Sequence, residues 1–173
     1  MASVLKKFIY ETKVYYEDTD AGGIVYYANY LKYFERARTE LIYSLGYNHK
    51  ELNDKFDIKI VVHKFSITYK KPLFFEDKII VESFVRNVSN LRIEMAQNVL
   101  RDKEVLAEAI VELVTIDNTG KPKIIPDFPK VRCKKSSFLI PSGRCFFSEI
   151  FPFSTKSKYL FIHPFDPGES III

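Results

Sequence analysis

The sequence predicts an α+β domain in which one long helix packs against a single antiparallel sheet of five strands. One segment, beginning at Asn29, repeats apolar residues at helical spacing. One segment before it and four after it alternate apolar and polar residues, as half-buried strands do. Since turn residues rather than helices join the later strands, we expect their pairing to be antiparallel.

The first predicted elements are a strand and the helix. Residues 8–16 alternate in polarity and predict the strand, and a turn follows at 18–23. From Asn29 onward the apolar residues recur at helical spacing, and Gly46 is placed to end the helix. The residues of this apolar stripe are Tyr30, Leu31, Phe34, Leu41, Ile42 and Leu45.

The remaining elements are four strands that we expect to follow one another as in a meander. In residues 58–69 the apolar positions change parity near His63, which predicts a bulge or bend there. Pro72 ends this strand. Turn residues at 89–90 and 102–104 separate the three strands that follow.

The chain of 173 residues divides into a domain over residues 1–132 and a tail over 133–173. The tail shows neither helical nor strand periodicity, yet it contains seven of the fifteen phenylalanines. We expect it to be an appended, poorly ordered segment. Cys133 and Cys145 lack a second cysteine pair or a neighbouring histidine, so we expect reduced thiols rather than a zinc site.

Composition and charge exclude several classes of protein. Hydrophobic residues make up 47% and charged residues 28%, an ordinary globular composition. The net charge of +4 is spread along the chain, which argues against a nucleic-acid-binding surface but suits a small polyanionic ligand. No apolar run has the length of a membrane span, and none follows the basic pair Lys6-Lys7, so we expect a cytoplasmic protein.

The residues before the helix carry the chemistry. Asp18 and Asp20 are followed by Gly22 and Gly23, which allow a tight turn and a close approach of the main chain to a ligand. The helix that follows directs free N–H groups and its positive end toward this turn. A carboxylate and a polarising N–H are the two halves of an acyl-transfer site. On the residues alone, the alternative of an acidic turn that only caps the helix stays open.

From Tyr15 to Glu40 the sequence resembles the signature of the 4-hydroxybenzoyl-CoA thioesterase family, most closely its Tol-Pal-associated acyl-CoA thioesterase branch. The similarity extends over residues 8–129. This resemblance implies a hot-dog fold, in which an antiparallel five-stranded sheet wraps around one long helix. It also implies a homodimer or a homotetramer built as a dimer of dimers, with active sites at the dimer interface, and a link to the Tol-Pal envelope system.

The resemblance also assigns roles to residues. Asp20 matches the catalytic carboxylate, and the main-chain N–H of Tyr27 matches the group that polarises the thioester carbonyl. Many members of the branch have a histidine at the position of Tyr27, so a mechanism that uses a histidine side chain is in doubt here. Four residues of the same segment are expected to bind substrate, namely Gly23, Ile24, Val25 and Asn29.

The function implied is that of an acyl-CoA thioesterase, which hydrolyses a short-chain or other acyl-CoA to CoA and the free acid. Asp20 would either attack the carbonyl to form a mixed anhydride or deprotonate a water molecule, and the sequence leaves both routes open. We expect no metal and no cofactor, since CoA is part of the substrate. Cations available for its phosphates are Lys64, Lys70, Lys71, Arg86 and Arg92.

Two rival functions remain. A hot-dog dehydratase pairs a histidine with an acid, and no histidine lies in or beside the motif, so this rival ranks lower. The other is a non-catalytic acyl-binding or scaffold protein that keeps the fold without turnover.

Four further polar residues are expected to have structural roles. Glu35 and Arg38 share one side of the helix and can pair with each other at a spacing of three residues. We expect Asp18 to order the turn rather than to react. His63 is expected to be a strand or bulge residue rather than a catalytic acid or base.

Overall fold

The computed structural model describes residues 7–125. The tail predicted over 133–173 and both cysteines lie outside the described residues. Five strands and two helices are present within that range, which confirms the predicted α+β class. The strands are β1 (Lys7–Lys13), β2 (Lys59–Tyr69), β3 (Lys78–Val88), β4 (Arg92–Arg101) and β5 (Glu104–Ile116), and the helices are α1 (Tyr30–Ser44) and α2 (His49–Phe56).

The five strands form one antiparallel sheet in the order β1-β3-β4-β5-β2. The expectation of a four-strand meander is therefore wrong for β2, which pairs with β5 at one edge of the sheet instead of with β3. The connection over residues 70–77 contains Pro72 and is longer than a hairpin turn, so it does not force β2 and β3 to pair. The strands β3, β4 and β5 do follow one another in the predicted way.

The predicted irregularity in β2 is confirmed. Its pairing with β5 shifts register between Val62 and Lys64, with His63 as the extra residue between them. A bulge strengthens the local twist of a strand, which helps a sheet to curve around a helix.

Helix α1 packs its inner side against the sheet. Its buried residues follow one helical stripe and are Tyr30, Tyr33, Phe34, Ala37 and Leu41. The buried stripe differs in part from the predicted one, because Leu31 is 43% exposed and Tyr33, which the prediction leaves out, is buried. Tyrosine is amphipathic, so its side chain does not identify the buried side of a helix as clearly as leucine does. The sheet residues in the same core cluster include Ile79, Val81, Val99, Ala107 and Ala109.

The second helix, α2, lies where the sequence pattern indicates only a polar connection around His49. Most of its residues are polar, and Leu52 is the one that is buried. Its beginning is nevertheless encoded locally: the Asn48 side chain accepts from the Glu51 N–H at 2.8 Å, and the Glu51 carboxylate accepts from the Asn48 N–H at 3.2 Å. This reciprocal capping box is a recognisable start signal for a helix.

A buried polar contact ties α1 to the middle of the sheet. Arg38 donates to the Gln97 side-chain oxygen at 2.8 Å, while the Gln97 nitrogen donates to the Phe34 carbonyl at 3.1 Å. The Glu35 carboxylate accepts from the Thr39 hydroxyl at 2.8 Å. The two side chains thus form hydrogen bonds with other residues, and the interaction expected between Glu35 and Arg38 is one of charge. Burial lowers the pKa of Arg38, and the negative charge of Glu35 raises it.

Within residues 7–125, neither helix combines the length and the apolar character needed to cross a bilayer.

Candidate active site

Asp20 lies at the start of a tight loop that is closed by main-chain hydrogen bonds. The Asp20 N–H donates to the Ile24 carbonyl at 2.9 Å, and the Gly23 N–H donates to the Asp20 carbonyl at 3.0 Å. Thr19 and Val25 form a bridge across the base of this loop. The loop therefore fixes the main chain of Asp20 while the residue itself remains exposed.

Gly22 and Gly23, the two glycines of the predicted turn, have separate roles in this loop. The Gly22 N–H donates to Asp20 Oδ1 at 2.8 Å, and a Cβ at Gly22 would lie only 3.1 Å from that oxygen. Gly23 has φ of 74°, a left-handed conformation that glycine adopts without strain. In the structure the main chain at Gly22 closely approaches the Asp20 carboxylate, and an approach to a ligand stays a prediction.

Tyr27 begins a 3₁₀ turn over Tyr27–Asn29, and α1 follows at Tyr30. The α-helix thus begins one residue after Asn29, where the sequence pattern predicts its start, and Tyr27 lies in the turn before it. The first N–H groups of a helical segment have no acceptor within it, and they carry the positive end of its dipole. The Tyr27 N–H is the first such group of the 3₁₀ turn, and its role in polarising a carbonyl stays a prediction.

Asp18 is fully buried and organises the main chain around the loop. Its Oδ2 accepts from the Tyr15 N–H at 3.0 Å, and its carbonyl accepts from the Tyr26 N–H at 2.9 Å. The same carbonyl accepts from the Asn29 side-chain amide at 2.9 Å. Burial, and after it the neighbouring Asp18, raises the pKa of Tyr33. These contacts agree with the expected ordering role of Asp18.

An open cleft of about 420 Å³ is lined by residues of the motif and by residues at and just after the end of β2. Asp20 and Tyr27 both line it, so the two residues predicted to react lie beside the same space. Main-chain contacts join its two walls, because the Val25 N–H donates to the Leu73 carbonyl at 2.9 Å. The residues that line the cleft are Asp20, Ile24, Val25, Tyr26, Tyr27, Tyr30, Tyr69, Lys70, Lys71 and Pro72.

The predicted substrate-binding residues fall into two groups. Ile24 and Val25 line the cleft, whereas Gly23 and Asn29 are absent from its lining. Gly23 shapes the Asp20 loop, and Asn29 holds the Asp18 carbonyl instead of capping α1. In the structure, both residues hold main-chain groups that shape the site, and neither contributes to the surface of the cleft.

Sequence reasoning did not place Tyr69 at the site. This residue is the last of β2, and its hydroxyl donates to the Tyr27 carbonyl at 2.9 Å across a separation of 42 residues. Its ring also meets Tyr30 edge-on, with the ring centroids 5.1 Å apart. Alternation in β2 indicated only which way the side chain points, so no local signal could have identified these partners.

The phenols of Tyr26 and Tyr69 remain protonated at neutral pH. A hydrogen bond and the charge of Tyr27 raise the pKa of Tyr26, with smaller contributions from burial and from Asp20. Burial, and to a lesser degree Tyr27, raises the pKa of Tyr69. The cleft therefore presents hydroxyl donors and aromatic surface beside one carboxylate.

The sequence matches the thioesterase-like superfamily over residues 14–135. The chain belongs to this superfamily. It is 38% identical over 123 residues to an acyl-CoA thioesterase, YbgC, of Haemophilus influenzae, covering 71% of this chain and 89% of that protein. The membership makes the chain a thioester hydrolase by family.

Two solved structures of similar proteins share its architecture. A DHNA-CoA thioesterase from Staphylococcus aureus is 31% identical, with a TM-score of 0.64 over 68% of this chain and 80% of the other. A hypothetical protein from Aquifex aeolicus is 33% identical, with a TM-score of 0.66 over 69% of this chain and 93% of the other. The hot-dog fold expected from the motif is confirmed.

Proposed function

We propose that this thioesterase-like protein hydrolyses acyl-CoA thioesters to CoA and the free acid, with Asp20 as nucleophile or general base. The observation that carries the proposal is the shared cleft, which brings the Asp20 carboxylate and the Tyr27 end of the helical segment to one space. The 38% identity to an acyl-CoA thioesterase supports the substrate class. The motif resemblance further supports membership of the Tol-Pal-associated branch.

In this mechanism the thioester carbonyl oxygen accepts from the Tyr27 N–H as negative charge develops on it. With Oδ1 held by Gly22, we assign the reacting role to Asp20 Oδ2. As nucleophile, Oδ2 forms a bond to the acyl carbon, the C–S bond breaks, and water then cleaves the anhydride. As general base, Oδ2 removes a proton from the water that attacks the carbon, the C–S bond breaks, and the proton passes to the departing CoA sulfur. Both routes release CoA and the acid.

A thiol-release assay over straight-chain and aromatic acyl-CoA substrates tests this function. We expect turnover with at least one substrate class and loss of turnover when Asp20 is replaced. Binding of acyl-CoA without thiol release would favour the acyl-binding alternative. Hydration of an enoyl-CoA without thiol release would favour the dehydratase.

Two of the five candidate phosphate-binding cations, Lys70 and Lys71, line the cleft. The Lys70 ammonium lies 2.5 Å from Glu108, and the Lys71 ammonium pairs with Glu104. The lysine side chains are 43% and 55% exposed, and ion pairs at such positions contribute little to stability. A substrate phosphate can therefore replace the carboxylates as the partner of these lysines.

We predict that replacing Lys70 and Lys71 together by alanine raises the KM for acyl-CoA about tenfold, because charge-assisted contacts of roughly 1.5 kcal/mol are lost. The KM for the matching S-acyl-N-acetylcysteamine, which has no phosphates, is expected to stay the same. Steady-state thiol release measures both constants. Lys55→Ala is the control, since Lys55 forms an exposed ion pair with Glu51 within α2. Equal KM increases for the two substrates would contradict a role in phosphate binding.

The single chain leaves the cleft open, and we propose that a second copy completes it in a homodimer or a dimer of dimers. This assembly is what the motif resemblance implies. Light scattering coupled to gel filtration measures the mass in solution, and a monomer with full activity would overturn the proposal.

A further inference from the structure

The Tyr27 main chain is held from both sides. The Tyr26 carbonyl accepts from the Asn29 N–H at 2.8 Å, and the Tyr27 carbonyl accepts from the Tyr69 hydroxyl at 2.9 Å. The Tyr26 carbonyl and the Tyr27 N–H belong to one planar peptide unit, so the first contact orients that N–H. The second contact fixes the next peptide unit. Tyr27 therefore lies between two peptide units that are each held by a hydrogen bond. The bond to the second unit comes from Tyr69, which lies outside the turn.

Tyr69 is well placed to act as this outside anchor. It is paired with Ala107 at the end of β2, within the hydrogen-bonded sheet. Its ring packs edge-on against Tyr30, the first residue of α1. Through its hydroxyl, Tyr69 therefore links the edge of the sheet to the 3₁₀ turn that precedes α1.

We propose that Tyr69 is a positioning residue for thioester hydrolysis, which holds the Tyr27 main chain so that its N–H meets the developing oxyanion. The inference rests on the proposed function, in which the Tyr27 N–H polarises the carbonyl. Stabilisation of an oxyanion requires a donor fixed within a fraction of an ångström before the reaction begins. The Tyr69 hydroxyl adds a restraint from the sheet to the restraint that the turn provides through its own hydrogen bond.

A purely structural role predicts a different outcome. Tyr69 is 43% exposed, so the hydrogen bond of its hydroxyl contributes little to folding stability. Replacing the hydroxyl should therefore affect turnover while leaving the melting temperature nearly unchanged. Because Tyr69 also lines the cleft, a contact with bound substrate would instead appear as a change in KM.

The experiment compares Tyr69→Phe with the parent full-length chain, using steady-state thiol release from an acyl-CoA that the parent hydrolyses. We expect kcat to fall about tenfold, part of the effect of removing an oxyanion donor, with KM changed less than about twofold. Tyr43→Phe is the matched control, because Tyr43 lies exposed on α1 and does not line the cleft. A kcat within twofold of the parent, or a change in KM alone, overturns the proposal.

A second variant preserves the ring and the fold. It carries at position 69 a ring-fluorinated tyrosine whose phenol titrates near neutral pH. As the pH rises through that pKa the donor is lost, and we expect kcat to fall there in this variant but not in the parent, in which burial raises the pKa of Tyr69. Identical pH profiles would overturn the proposal.

Failure of this inference is distinguishable from failure of the proposed function. If the parent hydrolyses acyl-CoA and Asp20→Asn does not, but Tyr69→Phe matches the parent, only the positioning role is wrong. If the parent releases no thiol from any acyl-CoA, the function itself is wrong.

Discussion

Replacing Asp20 by asparagine is expected to lower kcat by about 10² to 10⁴, the range associated with loss of a positioned acid or base. Asparagine keeps the side-chain oxygen that accepts from the Gly22 N–H, a contact of 2.8 Å in the native loop. The loop should therefore keep its shape while the carboxylate charge is lost. Thiol release from acyl-CoA measures kcat, and circular dichroism measures the melting temperature, which we expect to be unchanged.

Glu17→Gln is the matched control for this substitution. Glu17 is an exposed carboxylate in the short 3₁₀ turn just before the Asp20 loop, and it does not line the cleft. Its neutralisation should leave kcat within twofold of the parent. Activity in Asp20→Asn above about one tenth of the parent would remove Asp20 from the mechanism.

A single turnover in heavy-oxygen water, followed by mass analysis of the peptide that contains Asp20, tests for the anhydride. Label in that peptide requires that Asp20 was acylated and that water then attacked the Asp20 carboxyl carbon. Label in the free acid alone is the result of the general-base route, and also of an anhydride that water opens at its acyl carbon.

The sequence could predict that Asp20 and Tyr27 line one cleft because the two residues belong to one local motif. Asp20 and Tyr27 lie seven positions apart in one motif, and the glycines between them allow the tight loop that joins them. Tyr69 could not be predicted in the same way, since its contact with Tyr27 depends on β2 lying at the edge of the sheet beside β5. Alternation within a strand indicates which residues share a face, but it does not indicate which strands are neighbours.

The same distinction explains the errors in the fold. The bulge near His63 follows from the parity of neighbouring residues, and its prediction is confirmed. The placement of β2 depends on pairing with residues far along the chain, and its prediction is wrong. Helix α2 is a different case. Its capping box at Asn48 and Glu51 is readable in the sequence, but the residues that follow have too weak an apolar periodicity to predict a helix.

Replacing Gln97 by leucine is expected to destabilise the fold by about 3 kcal/mol, because it leaves a buried charge without its acceptor. Gln97 is fully buried on β4, and its side chain contacts Arg38, the Phe34 carbonyl and the Ser83 hydroxyl at 2.8, 3.1 and 2.9 Å. Burial lowers the pKa of Arg38 to about 10, so the guanidinium keeps its charge at neutral pH in a largely dehydrated position. Urea unfolding measures the loss, and Asn98→Leu on the opposite face of β4 should cost less than about 1 kcal/mol.

A double substitution separates the lost acceptor from the changed packing. If the cost arises from the unpaired guanidinium, then Arg38→Met in the Gln97→Leu background should recover more than half of it, because a methionine of similar length needs no acceptor. In the parent background the same Arg38→Met should destabilise, since it removes a partner of the Gln97 oxygen. Equal effects of Arg38→Met in both backgrounds would place the cost of Gln97→Leu in the packing of the leucine and not in the polar contact between α1 and the sheet.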